Sequence, residues 1–299
     1  MTGGSGFVGR ALVPILVRAG HEVHLFGRRT TPDADVTAHG VDLLRDDPGP
    51  LLLAVQPDAL VHLAWEATPG SFWQAPENLD WVATSVRLAR SFALAGGRRI
   101  VVAGTCAEYD WSFLRLEEER TPLRPHTLYG VAKASLLRLL RAAAPGLGLS
   151  LAWGRIFFPY GPFERPGRLL SSLIDGLAAG QRVAVTDGRQ QRDFLHVEDV
   201  ARAFALLLES NLQGPINIAS GVARPVRTLI LEVARRMGRE DLVDLGARST
   251  QPGEPHVMIA DARRIRAIGF EPVWSLEAGL ADAVARRTGN QVAGGEALG

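Results

Sequence analysis

The strongest chemical signal in the sequence is a tyrosine and a lysine four residues apart, Tyr129 and Lys133. Lys133 is the only lysine among 33 lysine and arginine residues, which suggests that its position needs a compact ammonium rather than a planar guanidinium. If residues 127–142 are helical, the two side chains lie on one face about a turn apart. A neighbouring ammonium favours the phenolate, so we predict a lowered pKa for Tyr129 and a general acid/base role. The alternative is a surface helix in which the two residues are neighbours by chance.

A glycine-rich stretch stands at the start of the chain. Gly3, Gly6 and Gly9 have the spacing Gly-x-x-Gly-x-x-Gly, which lets a backbone approach a pyrophosphate at the N-terminus of the following helix. Such a loop normally follows a strand, but here the chain begins only two residues before Gly3. We therefore expect that a short first strand is missing upstream of Met1. The alternative is a flexible, glycine-rich terminus.

The segments that must position these residues alternate between short apolar runs and helical periods. The predicted strands are residues 21–26, 59–63, 99–103 and 149–156, and the predicted helices are residues 9–19, 79–95 and 128–143. This alternation is typical of a doubly wound α/β domain with a parallel sheet. After Pro159 the turns become richer in proline and glycine, with helices predicted near residues 169–179 and 197–209 and a strand at 215–219.

The predicted fold class is therefore α/β, a doubly wound parallel Rossmann sheet with a truncated first strand and a smaller, mixed C-terminal lobe. We predict that residues 1–159 form the dinucleotide-binding domain and that residues 194–220 return to it. Residues 160–193 and 221–287 would form the substrate-binding lobe. Residues 288–299 would form a flexible tail.

The composition is that of an ordinary soluble protein. The net charge is +1, and the arginines are balanced by acids and are not grouped, so neither a nucleic-acid nor a membrane partner is indicated. No signal peptide or membrane span is found. The single cysteine, Cys106, excludes an internal disulfide framework, and the seven histidines lack the spacing of metal ligands. We expect a cytoplasmic protein without a bound metal.

The residues after the second strand of the expected sheet bear on the type of cofactor. Gly27, Arg28 and Arg29 stand there, where an NAD-binding domain usually carries an acid for the ribose 2′-hydroxyl. Arginine at this place suits a 2′-phosphate instead. The sequence therefore favours NADP(H), while NAD(H) is the open alternative.

Five motifs occur in an order that is found in one known family. They are the glycine loop, residues 61–64, Gly104-Thr105, Tyr129-x-x-x-Lys133 and residues 192–200. Together they closely resemble the extended short-chain dehydrogenase/reductases, the NAD-dependent epimerase/dehydratase family that acts on nucleotide sugars. The resemblance extends from Thr2 to about Ala285. It implies a Rossmann domain for the cofactor, a smaller lobe for a nucleotide-diphosphate sugar, and a homodimer packed through two helices of each subunit.

The resemblance also implies the roles of individual residues. Thr105 would hydrogen-bond the reacting sugar oxygen, Tyr129 would transfer the proton, and Lys133 would hold the nicotinamide ribose and lower the Tyr129 pKa. The implied cofactor-binding residues are Gly3, Gly6, Phe7, Gly9, Arg28, Arg29, Asp42, Leu43, Leu63, Ala64, Tyr129 and Lys133. The residues assigned to the substrate are Trp65, Cys106, Phe158, Arg192 and Glu254, with Arg192 at the diphosphate. The alternative for Arg192 is a surface salt bridge.

Departures from the family pattern narrow the chemistry. Sugar 4,6-dehydratases of the family follow the active-site threonine with Asp-Glu, whereas this chain has Cys106 and Ala107, and Glu108 is one residue out of register. Dehydration is therefore not expected. The leading hypothesis is NADPH-dependent reduction of a nucleotide-linked 4-keto-6-deoxyhexose at C4, as in the 4-ketoreductases that this chain resembles in character. The alternatives are a nucleotide-sugar 4-epimerase with tightly bound NAD and a non-catalytic protein that senses dinucleotides.

Overall fold

Helices and strands alternate through most of the computed structural model, which describes residues 1–28, 35–250 and 253–289. The helices are α1 (Phe7–Arg18), α2 (Gly49–Val55), α3 (Glu77–Leu94), α4 (Leu128–Leu147), α5 (Leu169–Ala178), α6 (Val197–Glu209), α7 (Val226–Met237), α8 (Arg263–Arg266) and α9 (Leu276–Thr288). The strands are β1 (Val23–Gly27), β2 (Val36–Gly40), β3 (Ala59–His62), β4 (Arg99–Thr105), β5 (Arg115–Leu116), β6 (Ser150–Ile156), β7 (Phe158–Tyr160), β8 (Val183–Val185), β9 (Gln191–His196), β10 (Gly214–Ile218), β11 (Ala223–Pro225), β12 (Val243–Leu245) and β13 (Val257–Ala260). Arg29 and residues 290–299 of the expected tail lie outside the described residues.

A parallel sheet forms the centre of the fold. Strands β3, β4, β6 and β10 pair in that order, and β1 pairs with β2, all in parallel. Thr2 joins the two groups, because it bridges Phe26 of β1 and His62 of β3. The resulting order is that of a doubly wound sheet. The predicted α/β fold is confirmed, and Met1 and Thr2 hold the place where a first strand was expected.

The central strands are mostly apolar because helices cover both faces of the sheet. Val101 and Val102 are neighbours on β4, so their side chains point to opposite faces, yet both are fully buried. Helices α1 and α6 cover one face and pack together. Helices α3 and α4 cover the other face. This arrangement places the carboxyl ends of the strands along one edge of the sheet, where such folds bind ligands.

The second half of the chain contains a mixed sheet, as predicted. Its strand order is β11-β9-β13-β5, with β7 also paired to β9. Only the β11 and β9 pair is antiparallel among these strands of the described part of the chain. Helices α5, α7 and α9 form a separate apolar cluster around Leu173, Ile230 and Leu280. The exact boundaries of the two domains stay a prediction.

No helix in residues 1–28, 35–250 or 253–289 is both long and apolar enough to cross a bilayer.

Candidate active site

The glycine loop is folded so tightly that two of its positions accept only glycine. Gly3 has a φ of +73°, and a Cβ atom there would lie 2.7 Å from the backbone nitrogen of Ala64. A Cβ atom on Gly9 would lie 2.1 Å from the carbonyl oxygen of Gly3. The Gly6 amide closes the turn by donating to the Gly3 carbonyl at 2.9 Å. The loop therefore packs directly on the end of β3 and presents the first turn of α1.

One groove beside this loop brings together nine of the twelve expected cofactor residues, and Tyr129 and Lys133 are not in its lining. It lies at the carboxyl edge of the parallel sheet, where Thr2 separates β1 from β3. The expected residues that line it are Gly3, Gly6, Phe7, Gly9, Arg28, Asp42, Leu43, Leu63 and Ala64, together with Trp65 from the substrate set. Arg29 lies outside the described residues, so its expected role stays a prediction.

The catalytic candidates come from the end of β4 and the start of α4. Thr127 caps α4, since its hydroxyl accepts a hydrogen bond from the Gly130 amide at 3.1 Å. This cap begins the helix just before Tyr129, so Tyr129 and Lys133 are one turn apart, as predicted. Lys133 is only 2% exposed. Its Nζ donates to the Ala103 carbonyl at 2.8 Å.

Aromatic rings surround the Tyr129 phenol and the Lys133 ammonium. The ring of Tyr129 meets those of Phe72 and Trp73 edge-on, with centroids 5.0 and 5.9 Å away. Lys133 Nζ lies 3.7 Å from the centroid of Trp65, a cation–π contact. Aromatic residues beyond β3 therefore form a wall around the two candidate catalytic groups.

The expected effect of Lys133 on Tyr129 is wrong in this structure. Burial raises the pKa of Tyr129 above its ordinary value, although a hydrogen bond with Thr105 acts in the opposite direction. The Lys133 ammonium is held by Ala103 and Trp65, and its own pKa is lowered by burial to about 7. Desolvation is the largest effect on both groups, and the main charge effects on Tyr129 come from Cys106, Glu108 and Arg168 rather than from Lys133. Tyr129 is therefore protonated at neutral pH and can donate a proton.

The remaining substrate candidates form a second group. Arg192 is 4% exposed, and its Nη2 donates to Glu254 Oε1 at 2.6 Å. Its guanidinium lies 5.4 Å from the Phe158 ring. Cys106 is buried nearby, and burial raises the pKa of its thiol to about 12, although Arg192 acts in the opposite direction. The thiol is thus protonated. Trp65, the fifth substrate candidate, lies beside Lys133.

Sequence reasoning missed several residues that line the groove. Arg165 and Arg168 follow β7 in a turn and line the same groove as the glycine loop. The Arg168 guanidinium lies 5.3 Å from the Phe72 ring. Its positive charge acts to lower the pKa of Tyr129, against the effect of burial. Their signal in the sequence is a charged, proline- and glycine-containing turn after a strand that ends at the ligand-binding edge. That signal is weak where arginine is so common.

Comparison with known proteins gives the family. The model of the NAD dependent epimerase/dehydratase family matches residues 1–219. The chain belongs to this family. The solved structure of MoeE5 in complex with UDP-glucuronic acid and NAD is 32% identical, with a TM-score of 0.84, and the match covers 95% of this chain and 97% of that chain.

Two further relatives of this epimerase/dehydratase chain align over most of its length. UDP-glucuronic acid decarboxylase 1 of Xenopus tropicalis is 27% identical over 300 residues, which cover 94% of this chain and 69% of that protein. UDP-glucose 4-epimerase of Corynebacterium glutamicum is 25% identical over 297 residues, which cover 91% of this chain and 90% of that protein. The predicted family is therefore confirmed.

The groove fits the dinucleotide that is implied by membership of the epimerase/dehydratase family. The close approach of Gly9 to Gly3 leaves a cradle without side chains at the start of α1. Gly6, at the N-cap of α1, has no side chain to occupy the first-turn N–H groups, which suit a phosphate. Trp81 also lines the groove, and its buried Nε1 has no hydrogen-bond partner among the described residues. These donors suit the acceptor atoms of a nucleotide.

A substitution in the glycine loop tests this fit. In Gly9→Ala the new methyl group would collide with the Gly3 carbonyl, so the loop must move. We expect a loss of roughly 2 kcal/mol of stability and a weakening of dinucleotide binding by about tenfold or more, measured by thermal unfolding and calorimetry. Gly146→Ala is the matched control, because Gly146 lies within α4 and a Cβ atom there meets nothing within 4 Å. Unchanged dinucleotide binding in Gly9→Ala would show that the loop is not part of the nucleotide site.

Proposed function

We propose that this chain is an NAD(P)-dependent nucleotide-sugar oxidoreductase that reduces a nucleotide-linked 4-keto-6-deoxyhexose at C4. NADPH is the proposed reductant, and Tyr129 is the proposed proton donor. Residues 160–193 and 221–287 form the proposed lobe for the sugar nucleotide. The observation that carries the proposal is that Tyr129 lies beside Thr105 and that Tyr129 and the buried Lys133 both contact Trp65. Trp65 lines the same groove as Arg28.

The residues of the chain have distinct tasks in this reaction. A nicotinamide cofactor, when bound, would supply the hydride that reduces the sugar carbonyl carbon. The Tyr129 hydroxyl donates its proton to the carbonyl oxygen as negative charge develops there. The Thr105 hydroxyl orients that oxygen, and Lys133 holds the nicotinamide ribose. The raised pKa of Tyr129 keeps the proton available for donation.

The proposal is tested by following the absorbance of NADPH. The protein is mixed with a 4-keto-6-deoxy sugar nucleotide that is generated in place by a 4,6-dehydratase. We expect stoichiometric loss of NADPH and a single reduced sugar nucleotide. If the absorbance stays constant while the keto sugar persists, the reductase proposal is wrong.

A 4-epimerase with tightly bound NAD is the second candidate function. MoeE5 was solved with NAD and UDP-glucuronic acid, and an aligned relative is a UDP-glucose 4-epimerase. Arg168, close to Phe72 and acting on Tyr129, would suit the carboxylate of a uronic acid. Two results together would favour the epimerase over the reductase. They are release of NAD on denaturation and formation of a C4 epimer from UDP-glucose or UDP-glucuronic acid.

The preference for NADP(H) rests on Arg28 and is tested by Arg28→Ser. Arg28 is exposed at the end of β1 and lines the groove. A guanidinium bound to a 2′-phosphate contributes a charge-assisted hydrogen bond, so we expect NADPH affinity to fall by about tenfold or more, with NADH affinity unchanged. Arg18→Ser, at the exposed end of α1, is the control. An equal loss of affinity for NADPH and NADH in Arg28→Ser would contradict a contact with the 2′-phosphate. Equal affinities for the two cofactors in the unchanged protein would contradict the preference for NADP(H).

We propose in addition that the protein is a homodimer packed through α3 and α4. The two helices pack side by side and expose large apolar side chains, namely Leu79, Leu94, Val131 and Leu139. Pairing with the same helices of a second copy would bury them. Light scattering after size-exclusion chromatography distinguishes a dimer from a monomer, and a monomer at micromolar concentration would contradict the proposal.

A further inference from the structure

A fully buried carboxylate lies next to the candidate catalytic groups. Glu108 is 0% exposed and follows Thr105 by three residues, in the turn after β4. Its Oε2 accepts a hydrogen bond from Nε of Arg155 on β6 at 2.7 Å, and Arg155 is itself 1% exposed. Burying a charge is costly unless it is paired and hydrogen-bonded. A charged pair at this place therefore needs an explanation beyond packing.

The contacts of the other carboxylate oxygen reach the Thr105 backbone. Glu108 Oε1 accepts from the Thr105 amide at 2.8 Å and from Trp153 Nε1 at 2.9 Å. In return, the Thr105 hydroxyl accepts from the Ala107 amide at 3.2 Å. This reciprocal arrangement is a capping box. It fixes the backbone at Thr105 and hence the direction in which the Thr105 side chain leaves the strand.

Gly104 on β4 leaves the space that the Glu108 carboxylate occupies. A Cβ atom on Gly104 would lie 2.1 Å from Trp153 Nε1 and 2.7 Å from Glu108 Oε1. The carboxylate thus reaches its partners across a position that carries no side chain. Glu108 is directed into the core and does not reach the groove, so it cannot replace the missing acid of a dehydratase.

The charge of Glu108 also acts on Lys133. Burial lowers the pKa of Lys133, and the Glu108 carboxylate opposes that effect. On the other side of Lys133, burial and then the lysine charge lower the pKa of His62 to about 3, so His62 is neutral. Arg155 is the cation that faces Glu108 directly, and Tyr129 is the acid on which the carboxylate also acts. Lys133 Nζ binds the Ala103 carbonyl and Glu108 Oε1 binds the Thr105 amide, so one stretch of β4 holds both charges at backbone groups two residues apart. Glu108 is therefore the anion that stabilises the Lys133 ammonium.

We propose that Glu108 is a positioning residue of this site, whose carboxylate holds the Thr105 turn and supplies the buried negative charge that keeps Lys133 cationic. Its effect on turnover rests on the proposed function. Its effect on the ionisation of Lys133 does not, because Lys133 and Glu108 are both bound to the backbone of β4, at Ala103 and at Thr105, whatever the substrate is.

The chain offers a direct probe, since Lys133 is its only lysine. Protein labelled with isotopic lysine gives one lysine side-chain NMR signal, whose titration reports Lys133 without any substrate. In Glu108→Gln the hydrogen bonds from Thr105 and Trp153 can persist while the charge is lost. We expect the midpoint of the titration to fall by about one pH unit.

Two further variants separate this role from a merely structural one. Glu108→Gln/Arg155→Met removes both charges, so it leaves no unpaired Arg155 and should fold even if the single variant does not. It should lower the Lys133 midpoint by less than Glu108→Gln does, because the Arg155 cation that repels the ammonium is lost as well. Asp199→Asn is the matched control, because Asp199 is also fully buried, accepts from the Val273 and Trp274 amides and pairs with an arginine. It should reduce the unfolding temperature and leave the Lys133 midpoint unchanged.

The outcomes distinguish the two proposals. An unchanged Lys133 midpoint in both Glu108 variants would overturn the positioning role and leave an ordinary buried ion pair. A lowered midpoint in a protein that turns over no sugar nucleotide would support the role of Glu108 and reject the proposed function. In an active protein, we expect Glu108→Gln to reduce kcat more than it raises KM and to move the alkaline limb of the pH profile towards lower pH.

Discussion

Tyr129→Phe should reduce turnover by about three orders of magnitude while leaving dinucleotide affinity nearly unchanged. The substitution removes the hydroxyl that donates a proton to the substrate oxygen, and such proton transfer contributes roughly 10²–10⁴-fold to a rate. The ring itself would keep its edge-on contacts with Phe72 and Trp73, so the aromatic wall should persist. Single-turnover kinetics with a saturating sugar nucleotide and calorimetry with the cofactor measure the two effects separately.

Tyr160→Phe is the matched control for this substitution. Tyr160 is 3% exposed, and its hydroxyl makes only long contacts, 3.4 Å to the Ser275 carbonyl and 3.5 Å to the Leu276 carbonyl. Loss of that hydroxyl should leave turnover within about twofold. If both variants turned the substrate over at the unchanged rate, Tyr129 would not be the proton donor.

Lys133→Met should make the folded protein more stable at pH 7 while it abolishes activity. Burial lowers the pKa of Lys133 from 10.5 to about 7, so the unfolded chain binds its proton more tightly than the folded one. At about 1.4 kcal/mol for each pH unit, the buried ammonium destabilises the fold by roughly 5 kcal/mol. Removal of the hydrogen bond to Ala103 offsets about 1–2 kcal/mol of this amount. We expect a net gain of about 3 kcal/mol in the free energy of unfolding.

The gain in stability of Lys133→Met should depend on pH. Below about pH 7 Lys133 is protonated in both states, and the full destabilisation is present. As the pH rises from about 7 towards 10.5, the folded protein no longer carries the charge, and the difference between the variant and the unchanged protein should shrink. Urea unfolding at several pH values measures it. A Lys133→Met variant that is less stable at pH 7 would show that the ammonium stabilises the fold.

Most of the central fold could be predicted because its elements are long or wholly buried. The apolar run of β4 and the helical period of α6 were predicted nearly to the residue. Strand β2 reads Val-Thr-Ala-His-Gly and lies at the edge of its sheet with mixed burial, so no apolar run marks it. Helix α7 carries Val226, Leu229, Ile230 and Val233 on its buried face. This helical period is visible in the sequence, but no helix was predicted there.

The parts of the candidate site that carry a recognisable sequence motif could be predicted. The glycine loop and the Tyr129 and Lys133 pair converge because chain order and sheet topology place them at one edge. The direction of the Tyr129 pKa was not predictable, since the balance between burial and charge depends on packing with distant residues. The orientation of Glu108 towards Arg155 has the same cause, because the partner lies 47 residues away along the chain.

The ion pair between Arg192 and Glu254 bears on how the site discriminates among anions. An anion that binds Nη2 of Arg192 must displace the Glu254 carboxylate, which already accepts a hydrogen bond from it at 2.6 Å. A small ion such as phosphate exchanges one charge-assisted hydrogen bond for another and gains little net affinity. A larger ligand gains from its additional contacts along the surrounding surface. If Arg192 binds the diphosphate of a sugar nucleotide, as the family resemblance implies, Glu254 competes with that diphosphate and favours it over small anions.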